Sequence, residues 1–109
     1  MRLKFLGKGG SGAGGCPTLY ATDRGSYLVQ GWVTPEHGKV EIPHLLLGFA
    51  EPDTYVGARL TDTGRGTFTL TGHAVTEPGV VGQLTLADDE TAIEVPKRER
   101  KFYGVTPGR

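Results

Sequence analysis

The chain reads as an all-β domain with one short helix, two pseudo-repeated β units forming a small sandwich or barrel. Three observations predict this. Thr22 to Gly31, Thr-Asp-Arg-Gly-Ser-Tyr-Leu-Val-Gln-Gly, returns at an offset of 41 as Thr63 to Gly72, Thr-Gly-Arg-Gly-Thr-Phe-Thr-Leu-Thr-Gly. A second shared phrase follows each copy, Val40-Glu41-Ile42-Pro43 and, at an offset of 53, Ile93-Glu94-Val95-Pro96. Finally, 18 glycines and 7 prolines among 109 residues favour turns over long helices. A unit too small to close its own core, present twice, predicts a pseudo-two-fold sheet. The expected organisation is a single domain over 1–109, with an internal repeat at 18–50 and 58–104.

Taken in order, Met1 to Leu6 sets Leu3 and Phe5 on one side and Arg2 and Lys4 on the other, the alternation of a half-buried strand whose charged side suits a sheet edge. Residues 7–15 hold six glycines and no large apolar group, which predicts a flexible loop. After Cys16-Pro17, a strand resumes over Thr18 to Ala21. Thr22-Asp23-Arg24-Gly25 then supplies a turn, because Asp bonds its own following backbone and Gly tolerates positive φ. Ser26 to Val33 is the best strand in the chain. Its core face carries Tyr27, Val29 and Val33, matched in the second copy by Phe68 and Leu70.

Thr34 to Lys39 is a loop and Val40 to Ile42 a short strand. Pro43 opens a helical turn through His44 to Leu47, closed by Gly48, and this apolar knot is expected to plug one end of the sheet. Thr54 to Val56 and Ala58 to Thr61 read as strands. Thr76-Glu77-Pro78 starts a candidate helix over Glu77 to Leu84, weakened by Gly79 and Gly82 at about 1 kcal/mol each against Ala. Asp88-Asp89-Glu90 reads as an exposed acidic turn, and Thr91 to Val95 as the last strand, with Ile93 and Val95 on the core side. Phe102 and Tyr103 are expected to dock beside the sheet.

The opposite face of the best strand is more informative about function. Where the second copy shows Thr67, Thr69, Thr71 and His73, the first shows Ser26, Leu28, Gln30 and Trp32. Either the chain's own N-terminal strand or loop covers Leu28 and Trp32, which is the commoner fate of large apolar groups, or they await a partner. The candidate interface is Tyr20, Leu28, Gln30 and Trp32.

Twelve basic side chains balance twelve acidic ones, so no global field draws the chain to nucleic acid or an anionic membrane. The single cysteine, Cys16, excludes an internal disulfide framework and fits a reducing cytoplasm. The longest apolar run, Leu45 to Leu47 with Phe49, is far too short to span a bilayer, and the first residues lack a signal-peptide pattern. The expectation is a cytoplasmic protein without membrane or direct nucleic-acid contact.

Catalytic and cofactor chemistry find little support. Gly7 to Gly12 matches the dinucleotide-binding pattern literally, but Ala13-Gly14-Gly15-Cys16-Pro17 cannot open the helix that pattern requires. Nothing in the spacing sets His37, His44 or His73 beside Cys16 as a base, nor at metal-ligand intervals. Asp88, Asp89 and Glu90 sit in a polar turn, and Lys97 to Lys101 lacks the aromatic interleaving of a nucleic-acid surface. No catalytic residue, cofactor or metal is expected.

Cys16-Pro17-Thr18-Leu19-Tyr20-Ala21-Thr22-Asp23-Arg24-Gly25, followed by Val29-Gln30-Gly31-Trp32, resembles a family of small uncharacterised actinobacterial proteins. The later phrase, Val75-Thr76-Glu77-Pro78 through Gln83-Leu84 to Glu90-Thr91-Ala92-Ile93-Glu94-Val95-Pro96, is similar to that family's C-terminal pattern. In shorter relatives the two phrases follow one another directly, so the segment between Trp32 and Val75 reads as the duplication. Gly79 and Gly82 depart from the pattern, which carries better helix formers there. The resemblance implies no catalytic residues. It implies an accessory or antitoxin-like role, since such proteins are commonly encoded near helix-turn-helix regulators. The leading expectation is therefore a non-enzymatic protein-interaction module, acting on a protein partner or on a second copy as a homodimer. The alternative is a small-ligand or nucleotide-binding β-domain with the glycine loop as its lid.

Overall fold

A computed structural model describes residues 1–9 and 16–101. The fold is all-β, with nine strands, β1 (Leu3–Lys8), β2 (Thr18–Thr22), β3 (Ser26–Val33), β4 (Lys39–Pro43), β5 (Thr54–Val56), β6 (Thr61–Asp62), β7 (Thr67–Thr71), β8 (His73–Ala74) and β9 (Glu90–Glu99). Two short helical pieces accompany them, a 3-10 helix at His44–Phe49 and a single α-turn, α1, at Pro78–Val81. Every pairing is antiparallel. The strands run β1-β2-β3-β4-β7-β6, while β9 lies along β3 and also takes β5 and β8. The sheet is open rather than a closed barrel, and among the described residues β1 and β6 end the path as edges.

The two repeated phrases pair with each other's copy. Ser26, Tyr27, Leu28 and Val29 of the first copy face Pro96, Val95, Glu94 and Ile93. Thr67, Phe68, Thr69 and Leu70 of the second face Pro43, Ile42, Glu41 and Val40. The hairpins match as well, Tyr20 against Leu28 and Ala21 against Tyr27, Thr61 against Thr69 and Asp62 against Phe68. Each long strand then leaves the other copy's phrase for its own: Trp32 and Val33 pair with Glu41 and Val40, and His73 and Ala74 with Glu94 and Ile93.

A glycine permits each crossing. A Cβ on Gly31 would lie 2.6 Å from the backbone oxygen of Glu41, and one on Gly72 2.7 Å from that of Glu94. Any side chain would force two strand backbones apart.

Alternation along the strands builds two apolar clusters. The larger joins Tyr27, Val29, Val40, Ile42, Leu70, Ile93 and Val95, plugged by Leu46 of the 3-10 helix. The knot thus fills the sheet, although Leu45 and Phe49 remain 57% and 37% exposed. Val33 lies past the crossing and is 51% exposed, so its expected place in the core is corrected: from Trp32 on, β4 takes the place of β2 beside the strand while β9 ends opposite Trp32, and Val33 stands beyond the cluster that Tyr27 and Val29 join.

The smaller cluster lies on the opposite face of β3, where Leu28 and Ala92 meet Val75 and Val80, with Met1, Leu3, Tyr20, Val81 and Leu84 at its margin. The helix is shorter than expected. Its single turn begins at Pro78 and its cap, Gly82, has helical φ, so the segment rests on Val80 rather than on propensity.

Two further expectations are corrected. Gly7 and Lys8 belong to β1, which pairs with Leu19 and Thr18 after an irregularity between Phe5 and Gly7 that turns Leu6 and Gly7 toward the larger cluster. Gly9 of the expected flexible loop is buried, its amide donating to the Pro17 carbonyl at 2.9 Å, and residues 10–15 lie outside the described residues, as do Phe102 and Tyr103. Glu90 is buried rather than in an exposed turn, since it begins β9 opposite Trp32. No helix among the described residues is long and apolar enough to cross a membrane.

Because the crossings are equivalent, Gly31→Ala and Gly72→Ala are expected to cost similar amounts, about 1–3 kcal/mol each in urea unfolding. Gly79→Ala, where a Cβ meets nothing within 4 Å, is expected to be neutral or to stabilise. Unequal losses at the two crossings would count against their equivalence.

Candidate functional site

The four residues singled out as an interface do not share one surface. Leu28 and Gln30 are 0% and 1% exposed, whereas Tyr20 and Trp32 are half-buried. This corrects the expectation that Leu28 and Gln30 meet a partner, and the reason is the spacing of the repeat. Between β3 and β4 the chain needs only the short loop 34–38, but between β8 and β9 it carries 75–89. That longer segment folds back over β3, setting Val75 and Val80 on Leu28. The corresponding outer face in the second copy has only the short loop beside it, and there Thr69 and Thr71 stay partly or fully exposed.

Gln30 has an internal task. Its Nε2 donates to the carbonyl oxygens of Cys16 and Thr85 at 3.0 and 2.9 Å and to Oε1 of Glu90 at 3.2 Å. Glu90 Oε1 also accepts from the amide of Ala87 at 3.0 Å. One amide side chain therefore ties the start of β2, the segment after α1 and the start of β9. Glu90 was the residue missed in the sequence, because its neighbours Asp88 and Asp89 are exposed acids.

The arginine turns form a second, duplicated polar arrangement. In the first copy the amide of Arg24 donates to Thr22 Oγ1 at 3.1 Å, Thr22 meets Ser26 Oγ at 2.5 Å, and Ser26 donates to Glu94 Oε2 at 2.5 Å. In the second, the amide of Arg65 donates to Thr63 Oγ1 at 3.2 Å, Thr63 meets Thr67 Oγ1 at 2.6 Å, and Thr67 donates to Glu41 Oε2 at 2.5 Å. Each guanidinium closes on the same acid, Arg65 at 2.9 Å from Glu41 and Arg24 at 3.7 Å from Glu94. The turn glycines, Gly25 and Gly66, have φ of 70° and 85°. Hydrogen bonds to an ionised carboxylate are stronger than neutral ones, so each glutamate locks its own copy's phrase to the other copy's strand. The Thr67 hydroxyl, with help from Arg65, lowers the pKa of Glu41.

A third acid sits beside the large cluster. Glu51 receives Lys97 Nζ at 2.6 Å, which lowers its pKa and raises that of Lys97. The Glu51 amide donates to the hydroxyl of Tyr27 at 2.8 Å, and that hydroxyl also bonds Thr54. The acids therefore serve as fasteners of the sheet.

An exposed edge strand, β1, carries aromatic side chains among the described residues. Phe5 is 57% exposed and meets the ring of Tyr20 edge to face, with centroids 6.2 Å apart. On the other side of the strand Phe49 lies over Gly7 and Leu45 over Gly9, where an added Cβ would come within 2.3 and 2.4 Å of them. The alternation of the first residues set Phe5 on the apolar side of a half-buried strand, whereas the structure leaves it exposed, because nothing among the described residues covers that part of the edge strand. The seating of Leu45 and Phe49 on glycines 9 and 7 had no signal in the sequence, because it depends on the distant 3-10 helix. No family model, curated protein or solved structure matches the chain.

Leu28→Ala is expected to cost about 2–5 kcal/mol of stability, the usual loss for a buried leucine, and a Leu28→Ala protein as stable as the wild type would return Leu28 to the surface. The acids set an acid limit. Glu41 and Glu51 are held below the ordinary 4.5 in the folded chain, so their contribution is present above 4.5 and lost as pH falls through the lowered values. The combined Glu41→Gln and Glu51→Gln variant is expected to lose less stability than the wild type on acidification, read as the urea midpoint against pH.

Proposed function

We propose that the chain is a non-enzymatic protein-interaction module that receives an extended segment of a partner protein along the outer edge of β1. The observation that carries this reading is the edge itself. Within the described residues β1 pairs only with β2, and it offers Phe5 on one face with Leu45 and Phe49 on the other. An added strand gains backbone hydrogen bonds along the edge and apolar contacts on alternate side chains. Lys4 and Lys8 on the strand, with Arg2 just before it, favour an acidic segment.

The paired use of Glu41, Glu51, Glu90 and Glu94 in holding the sheet supports a binding role over a catalytic one. The accessory or antitoxin-like role beside a transcriptional regulator rests on the family resemblance. A second copy is the other candidate occupant, because two β1 edges can pair about a two-fold axis.

The test compares wild type with Phe5→Asp and Trp32→Ala, each checked by circular dichroism for an unchanged fold. Capture of a partner is expected to be lost in Phe5→Asp and kept in Trp32→Ala. Light scattering separates the homodimer, which Phe5→Asp would dissociate. Capture and mass indifferent to Phe5→Asp would remove the β1 edge from consideration.

A further inference from the structure

A cavity of about 660 Å³ opens between the 3-10 helix, β5 and the end of β9. That volume suits a small organic ligand. Its apolar wall is made by Leu47, Ala50, Val56, Ala58 and Leu60. All five belong to or pack against the larger cluster, and all but Val56 are only half-buried, so they turn the remainder of their surface outward.

Arg98 and Arg100 also line this cavity. They stand two residues apart in extended chain, which sets both on one side of it. Neither guanidinium makes an ion pair or a hydrogen bond among the described residues, and no acidic side chain among those residues lines the cavity. Lys97 on the same strand differs, since it is held by Glu51.

The backbone makes room for this pair. Gly57 has no side chain where a Cβ would lie 2.7 Å from Nε and 3.0 Å from Cγ of Arg98, so the arginine stem rests along the strand beside the cavity. The Gly57 amide, donating to Pro96 at 2.7 Å, fixes β5 against β9 there. Arg100 is anchored in turn by its own amide, which donates to Asp53 at 2.8 Å.

Two unneutralised guanidinia above an apolar wall define the ligand's chemistry. We propose that this cavity binds a small amphiphilic organic anion, a carboxylate carried on an aromatic or aliphatic body. The body is received by the Leu47–Leu60 wall and the carboxylate by Arg98 and Arg100, whose planar forks match its two oxygens. The site is separate from the β1 edge, and it moves a small-ligand role away from the glycine loop, none of whose described residues lines the cavity.

The experiment titrates the full chain with 8-anilinonaphthalene-1-sulfonate, whose sulfonate stands in for the carboxylate, and with uncharged N-phenyl-1-naphthylamine, which has the same apolar body. Saturable one-site fluorescence with the anionic probe is expected. Arg98→Gln and Arg100→Gln are each expected to weaken that probe about tenfold, the usual scale for one charge-assisted hydrogen bond, and to leave the neutral probe unchanged. Ala58→Trp, which fills the cavity, should weaken both probes, with circular dichroism showing that the fold is retained. Absence of saturable binding by the wild type would overturn the proposal. So would arginine variants that leave the anionic probe unaffected, or that weaken both probes alike.

Discussion

The structure depends on a close crossing made twice. At Gly31 and again at Gly72 a long strand passes so near a neighbouring carbonyl that a Cβ would stand 2.6 or 2.7 Å from it. Before the crossing each strand pairs with the other copy's phrase, and after it with its own. Neither copy can therefore form its sheet without the other. The glutamates of the two phrases secure the exchange, because each accepts the hydroxyl of the opposite copy's turn and ion-pairs with the guanidinium beside it. A single repeated sequence thus encodes both halves of a mutual fastening.

Against that near-symmetry, one difference in length decides where the chain is closed and where it stays polar. The segment over 75–89 is long enough to fold back on β3 and bury Leu28, whereas the loop over 34–38 is not long enough to do the same for Thr69. The apolar outer face of the first copy and the threonine face of the second are consequences of this. Gly79 within α1 and Gly82 at its cap are tolerable because the segment is held by Val80 against Leu28 rather than by helix propensity.

The two candidate binding regions lie in different parts of the fold and differ in character. The β1 edge offers backbone groups and aromatic side chains on a basic strand, suited to an extended chain. The cavity beside β5 offers a concave apolar wall and a paired positive charge, suited to a compact anion. Both arise where the pseudo-symmetry ends, since β1 and β5 have no counterparts in the repeated phrases.

The sequence by itself determined most of the long strands, the arginine turns and the part of the core face before the crossing, because the repeat, the alternation and the turn glycines are local and periodic signals. Tyr27, Val29, Ile93 and Val95 could be assigned inward on that basis, and the first strand placed on an edge. Only the tertiary structure decided which copy each phrase joins, since Val40-Glu41-Ile42-Pro43 and Ile93-Glu94-Val95-Pro96 have the same pattern and either could pair with either strand. It also decided that Leu28 and Gln30 are interior. Amphipathic alternation reports which residues share a face, but the cover on that face comes from a segment some fifty residues away in sequence, and no local period records it.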